Sequence, residues 1–220
     1  MSQNISCNCI GECDSNIDQF KSEDLIFCNN CNCDSATESG TELVFNTNVN
    51  LVFSKKKQIT INYDKLSFEQ KADLVKEYNT EGGGEFDLSW YKHKVGFGFF
   101  DVNKSIGFCN ISLSVSNYIE KAEVFLSVAD VFLLKDYRGQ KIGMYGAMII
   151  SDEILVSVVD FLNQYNKDIK ELVFFFTANC LSQGGEMFCD VMIENSLNQE
   201  CLSLALGDKV NIEMEYDIGD

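Results

Sequence analysis

The sequence predicts an α+β fold, a mixed and mostly antiparallel sheet flanked by helices. Residues 95–134 hold three successive strand-like runs, "VGFGFFDV", "SIGFCNISLSV" and "AEVFLSVADVFLL", rich in the β-branched and aromatic residues that suit a pleated surface. A helical apolar pattern follows, and then "ELVFFFTA", a continuous apolar run of strand length. Turns at Asn103-Lys104 and around Asn117 join antiparallel neighbours, whereas a strand, helix, strand unit over 124–178 requires a crossover and parallel strands.

Residues 1–40 are rich in Ser, Asn, Asp and Cys without sustained periodicity, and read as an N-terminal extension to a domain over 41–220. In "LVFNTNVNLVF" the period-two set is Phe45, Val49, Leu51 and Phe53, and "QITINY" repeats it with Ile59, Ile61 and Tyr63. The polar "SKKK" between them predicts a hairpin. Ser67 with Gln70 three residues on is a capping-box signature, opening a helix that carries Phe68, Ala72, Val75 and Tyr78 and stops at "EGGGE". The three runs already quoted come next. The helix after them divides into a polar face of Glu153, Ser157, Asp160 and Gln164 and an apolar one of Ile150, Ile154, Val158, Phe161 and Tyr165. "ELVFFFTA" has the composition of a strand buried on both faces, a shorter helical segment follows near 185–197, and "NIEMEYDI" alternates Ile212, Met214, Tyr216 and Ile218 with acids as an edge strand does.

The net charge of −17 argues against a nucleic-acid phosphate binder and favours cationic partners. No apolar run is read as long enough to cross a bilayer, and the first residues lack the basic start and apolar middle of a secretory signal, so no membrane association is expected. The expected compartment is the cytoplasm, where the ten cysteines stay mostly reduced. Six of them crowd the start: Cys7, Cys9, Cys13, Cys28, Cys31 and Cys33. Thiols at short spacing are what tetrahedral zinc requires, but these follow no zinc pattern and no His joins them. A reduced tail is the favoured reading, zinc there is the lesser option, and no metal ligands are assigned. Cys109, Cys180, Cys189 and Cys201 lie in apolar elements and read as core. His93, the single histidine, reads as surface or packing.

The segment "LKDYRGQKIG" holds the only arginine, Arg138. Where a strand gives way to a helix within a few residues, the first free N–H groups point outward together and the helix dipole favours an anion. Gly139 and Gly143 allow close backbone approach, and Arg138 and Lys141 add charge. A polar turn with a helix-initiating Gly uses the same residues.

"LLKDYRGQKIG" resembles the coenzyme A loop of the GCN5-related N-acetyltransferases (GNAT), whose pattern is Gln or Arg, two residues, Gly, one residue, then Gly or Ala. Read from Arg138, the sequence supplies Arg138 and Gly143 and has Lys141 in place of the middle Gly. The family also carries an Asn ending the next strand, a place that Asn179 of "FFFTANC" takes. The resemblance covers roughly 95–197. It implies that the two parallel strands splay apart and that acetyl-CoA inserts between them. The backbone of Leu133 and Leu134 would bond the pantetheine arm. The amides of Gly139, Gln140, Lys141, Ile142, Gly143 and Met144, with the Arg138 side chain, would hold the pyrophosphate. Asn179 would face the pantetheine end.

An N-acetyltransferase needs a base for the amine and an acid for the leaving thiolate. The family's tyrosine, seven residues past the Asn, is Glu186 here, with Ser182 and Cys189 as neighbouring substitutes. Asp130 is the first candidate base, being a carboxylate in an otherwise apolar strand, and Glu123 is the second. The resemblance thus implies acetyl transfer from acetyl-CoA to a primary amine of a cationic small molecule or protein. The alternative is a catalytically silent module of the same fold that binds CoA or another protein. An acidic inhibitor or nucleic-acid mimic is a third reading, and a homodimer is compatible with each.

Overall fold

The computed structural model describes residues 48–54, 57–63, 66–81, 95–180, 182–207 and 209–219. Among these residues seven strands lie in one sheet in chain order: β1 (Asn48–Ser54), β2 (Lys57–Tyr63), β3 (Val95–Asp101), β4 (Lys104–Asn117), β5 (Lys121–Leu133), β6 (Glu171–Asn179) and β7 (Asn211–Gly219). β1 to β5 are joined antiparallel, while β5–β6 and β6–β7 are parallel. The described residues also form four α-helices: α1 (Phe68–Thr80), α2 (Ile142–Tyr165), α3 (Gln183–Asn195) and α4 (Gln199–Leu206). The mixed, mostly antiparallel sheet is the one the sequence predicts, with Val49 opposite Ile61 and Leu51 opposite Ile59 in its first hairpin. The Cys-rich residues 1–40, His93 and the glycines of "EGGGE" lie outside the described residues.

Alternation along the strands builds two cores. On one face Phe100, Phe108 and Phe132 receive Leu74 and Val75 of α1. On the other, Phe97, Phe99, Ile106 and Ile111 meet Ile142, Ile150, Ile154 and Val158 of α2 and Phe188 and Met192 of α3. The predicted capping box starts α1: Ser67 Oγ accepts from Gln70 N–H at 3.2 Å, and Ser67 N–H donates to Gln70 Oε1 at 2.9 Å. A box of this kind stabilises a helix by about 1 kcal/mol. At Gly146 α2 lies so near the sheet that a Cβ would fall 2.4 Å from Phe99 Cε1.

Four expectations need correction. Ser157, placed on the polar face of α2, is buried, because α2 is covered by α3 as well as by the sheet, while Tyr165 at its end is exposed. By length and composition α2 is apolar enough to cross a membrane, contrary to the sequence reading, and its apolarity is matched by a face buried from Ile142 to Leu162. β6 is buried on both faces only around Leu172, Val173 and Phe174; Phe175 stacks on the exposed ring of Phe125, centroids 4.4 Å apart. The segment read as one short helix is two, α3 and α4, parted at Ser196–Asn198, where Asn198 caps α4 by accepting from Cys201 N–H.

Candidate functional site

β5 and β6 pair from Lys121 opposite Glu171 to Val128 opposite Ala178, and there they part. The cause lies on the other side of β5. Ile111 faces Val128 but its neighbour Asn110 faces Asp130, so Ala129 is an extra residue in β5. A bulge of this kind bends its strand and raises the local twist. β5 therefore follows β4 to Leu133, while β6 follows β7 to the pairing of Asn179 with Gly219. A cleft of about 500 Å³ opens between them, walled by residues 128–133 of β5, by Ala178 to Cys180, by Tyr78 of α1 and its C-cap Glu81, and by Gly143 of α2.

The bulge also exchanges the faces of β5. Leu126 and Val128 belong to the core under α2, whereas Phe132 belongs to the core under α1. Asp130, two residues before Phe132, shares that face by alternation and lines the cleft. Tyr78 meets it from α1, its ring 5.4 Å from that of Phe132 in an edge-on contact. Burial first, and the Asp130 charge second, push the Tyr78 hydroxyl above its ordinary value. Sequence reasoning gave Tyr78 a packing role only. Its polar tip at the end of an apolar helical face was the available signal.

The loop is anchored before it turns. Tyr137 donates its hydroxyl proton to Asp101 Oδ2 at 2.9 Å, and Gln140 Nε2 donates to the Asp136 carbonyl at 2.5 Å. Gly139 then takes φ +70° and Lys141 φ +63°, both left-handed. Lys141 is the N-cap of α2 and lends no side-chain cap. Tyr145 N–H is the first to close on it, at 3.1 Å to the Lys141 carbonyl. The N–H groups of Ile142, Gly143 and Met144 precede that bond and have no acceptor within the helix. No acidic side chain stands in the first turn. The left-handed backbone at position 141 gives a physical reason why a glycine suits this place in the loop pattern.

Three further expectations change. Arg138 is not presented as a free cation: its guanidinium pairs with Glu81 at 2.5 Å, its Nε donates to the Leu133 carbonyl at 2.7 Å, and it lies 5.3 Å over the Phe132 ring. Leu134 spends its N–H on the Ile106 carbonyl at 2.9 Å, so it turns toward β4. Strand alternation leaves Val131 and Leu133, rather than Leu134, with backbone groups toward the opening. Glu186 stands exposed in the first turn of α3 and is not part of the cleft wall, because the helical period gives that wall Gly185, Phe188 and Cys189 instead. Asn179 lines the cleft at the end of β6, as expected of its position. Glu123 is tied to Lys121 at 3.1 Å near the start of β5, away from the cleft.

The splay beside the α2 N-terminus is the arrangement that the loop resemblance implies. No protein-family model matches the chain, and no curated protein matches it. Among solved structures it is similar to acetyltransferases. An aminoglycoside acetyltransferase from an uncultured soil metagenomic sample is 13% identical, with a TM-score of 0.34 over 62% of this chain and 86% of its own. A ribosomal-protein-alanine N-acetyltransferase from Brucella melitensis biovar Abortus 2308 is 15% identical, with a TM-score of 0.34 over 60% of this chain and 88% of its own. A GNAT-family acetyltransferase from Streptococcus pneumoniae is 15% identical, with a TM-score of 0.28 over 53% and 74%. Scores this low carry no weight for the activity.

Among the described residues no group of three His, Cys, Asp or Glu side chains is placed to hold a metal. The six N-terminal cysteines lie outside them.

Proposed function

We propose that this chain is an acetyl-CoA-dependent N-acetyltransferase acting on a primary amine of a cationic small molecule or protein. The observation that supports it most is the parting of two parallel strands after Val128 and Ala178, next to a helix N-terminus with no acid in its first turn. The opened edge of β5 offers the backbone groups of Val131 and the Leu133 N–H to an extended, amide-bearing arm, as a missing strand would, while Arg138 holds the Leu133 carbonyl. The N–H groups from Gly139 to Met144, with the exposed Lys141, suit a pyrophosphate.

In this reading the residues divide the proton work. Asp130 accepts a proton from the acceptor ammonium, directly or through water. The freed amine nitrogen forms its bond to the thioester carbonyl carbon as the carbon–sulfur bond breaks. Tyr78, held protonated by burial and by Asp130, supplies the proton to the leaving thiolate and regains one, through water, from the new amide nitrogen, while the proton on Asp130 passes to solvent. Arg138 closes the mouth through Glu81 and is released when a phosphate competes for it. The acidic surface, net charge −17, concentrates cations at the acceptor side. A reduced, cytoplasmic setting belongs to the same proposal.

A catalytically silent module that binds acyl-CoA or a protein is the second reading, favoured by the outward placing of Glu186. Thiol release from acetyl-CoA, followed against a panel of polyamines, aminoglycosides and peptide amino termini, separates the two. Release with at least one amine, slowed roughly 100-fold in Asp130→Asn, supports the transferase. Tight acetyl-CoA binding with no release across the panel supports the silent module.

A further inference from the structure

Two of the cysteines that composition assigns to the core face each other at the cleft wall. Cys180 follows the last residue of β6 and Cys189 lies in the second turn of α3; their Sγ atoms are 3.8 Å apart. Both line the cleft, Cys180 half-buried and Cys189 buried. The strand end is held by Cys180 N–H on the Gly219 carbonyl at 3.0 Å, and α3 by its packing on α2, so the thiols stay together. Gly184 and Gly185 of the first turn of α3 lie beside them, where a Cβ at Gly185 would sit 3.9 Å from Cys180 Sγ. A disulfide needs the sulfurs at about 2.05 Å, an approach to be made by rotation about the two χ1 angles.

We propose that Cys180 and Cys189 are a reversible oxidation site, a dithiol converted to a disulfide by a peroxide that enters through the cleft. Cys180 is the sulfur the cleft exposes, so it reacts first. Its sulfur attacks the peroxide oxygen, the O–O bond breaks, and Cys180 sulfenic acid and one water are formed. The Cys189 sulfur then attacks the sulfenic sulfur, losing its proton as hydroxide leaves, and a second water is released with the disulfide. Two thiols are oxidised by two electrons and one peroxide is reduced to two waters. A thiol reductant reverses the step by exchange. Disulfides of this transient kind are the ones a reducing compartment tolerates.

Cleavage after Lys170 and Lys209 releases residues 171–209, which contain three cysteines, Cys180, Cys189 and Cys201. The full-length protein, reduced and freed of reductant, is treated with hydrogen peroxide, alkylated with iodoacetamide and digested with trypsin. The expected peptide is lighter by two hydrogens and alkylated once, at Cys201, and dithiothreitol before alkylation restores three alkylations. Cys201→Ser leaves the bond formation unchanged, while Cys180→Ser removes it and slows peroxide consumption about tenfold. Three alkylations after treatment, or Cys180 joined to any other cysteine, would overturn the proposal. A parallel sample saturated with desulfo-CoA, which has no thiol of its own, ties this site to the acyl-CoA reading. Slower bond formation there is the expected result, since the ligand fills the cleft beside Cys180; an unchanged rate leaves the dithiol standing and counts against a cofactor seated at Cys180.

Discussion

Arg138 and Glu81 meet at 2.5 Å across the mouth of the cleft, joining the loop before α2 to the C-cap of α1. The same guanidinium holds the Leu133 carbonyl, so one side chain ties together the helix end, the strand edge and the loop. Both partners are partly exposed, and exposed ion pairs contribute about 0–1 kcal/mol. Glu81→Gln should therefore leave the thermal midpoint almost unchanged while tightening acetyl-CoA binding several-fold, because Arg138 becomes free for phosphate. Arg138→Ala should weaken binding, and raising the salt should shrink both effects. Calorimetry on the two variants at low and high salt checks the pair.

Lys141 carries a left-handed backbone that costs a residue with a side chain about 1–2 kcal/mol. Lys141→Gly should raise the urea midpoint by the equivalent of about 1 kcal/mol, offset in part by the greater freedom of glycine in the unfolded chain. The N–H stays in place, so acetyl-CoA binding should fall only by the loss of one exposed charge. Gly139→Ala imposes the reverse strain at φ +70° and should lower the midpoint, although nothing lies within 4 Å of its new methyl.

Asp130 enters the cleft because a bulge turns it there, and its proposed work is on the amine. Asp130→Asn keeps shape and removes the base, so kcat should fall roughly 100-fold. Acetyl-CoA affinity should not move. The same variant takes away the charge that helps hold Tyr78 protonated, so the Tyr78 ionisation should begin at lower pH, read by ultraviolet titration of Asp130→Asn against the parent.

Burial raises the Cys109 and Cys189 thiols above their ordinary value of 9.0. Below that pH the folded and unfolded chains both keep these protons and nothing is lost. Above it the unfolded chain releases them and the folded one does not, so stability falls as pH rises, by about 1.4 kcal/mol per unit for each thiol. Urea midpoints taken under reductant from about pH 8 to about pH 10 should show this decline, and Cys109→Ala should lessen its slope. An unchanged midpoint over that range would mean that water reaches both sulfurs.

Most of the fold was legible because it is local. Ile59 and Ile61 alternate, Ser67 and Gln70 cap, and the runs from Val95 to Leu133 announce their strands and turns. The loop was legible too, down to the odd residue at 141. What escaped depends on elements meeting. Ser157 looks polar until α3 covers it, and Glu186 looks catalytic until its helix turn faces outward. Glu81 precedes its partner Arg138 by three strands, a helix-end carboxylate whose pairing no spacing encodes. Tyr78 reached Asp130, and Cys180 reached Cys189, only through the bulge of β5 and the turn into α3.

The central claim is that the parting of β5 and β6 is an acyl-CoA site. Calorimetric titration of the full-length protein with acetyl-CoA and with desulfo-CoA tests it most directly. Saturable heat with both ligands, at one site per chain and weakened in Arg138→Ala, is the predicted result; no heat with either ligand would contradict the account.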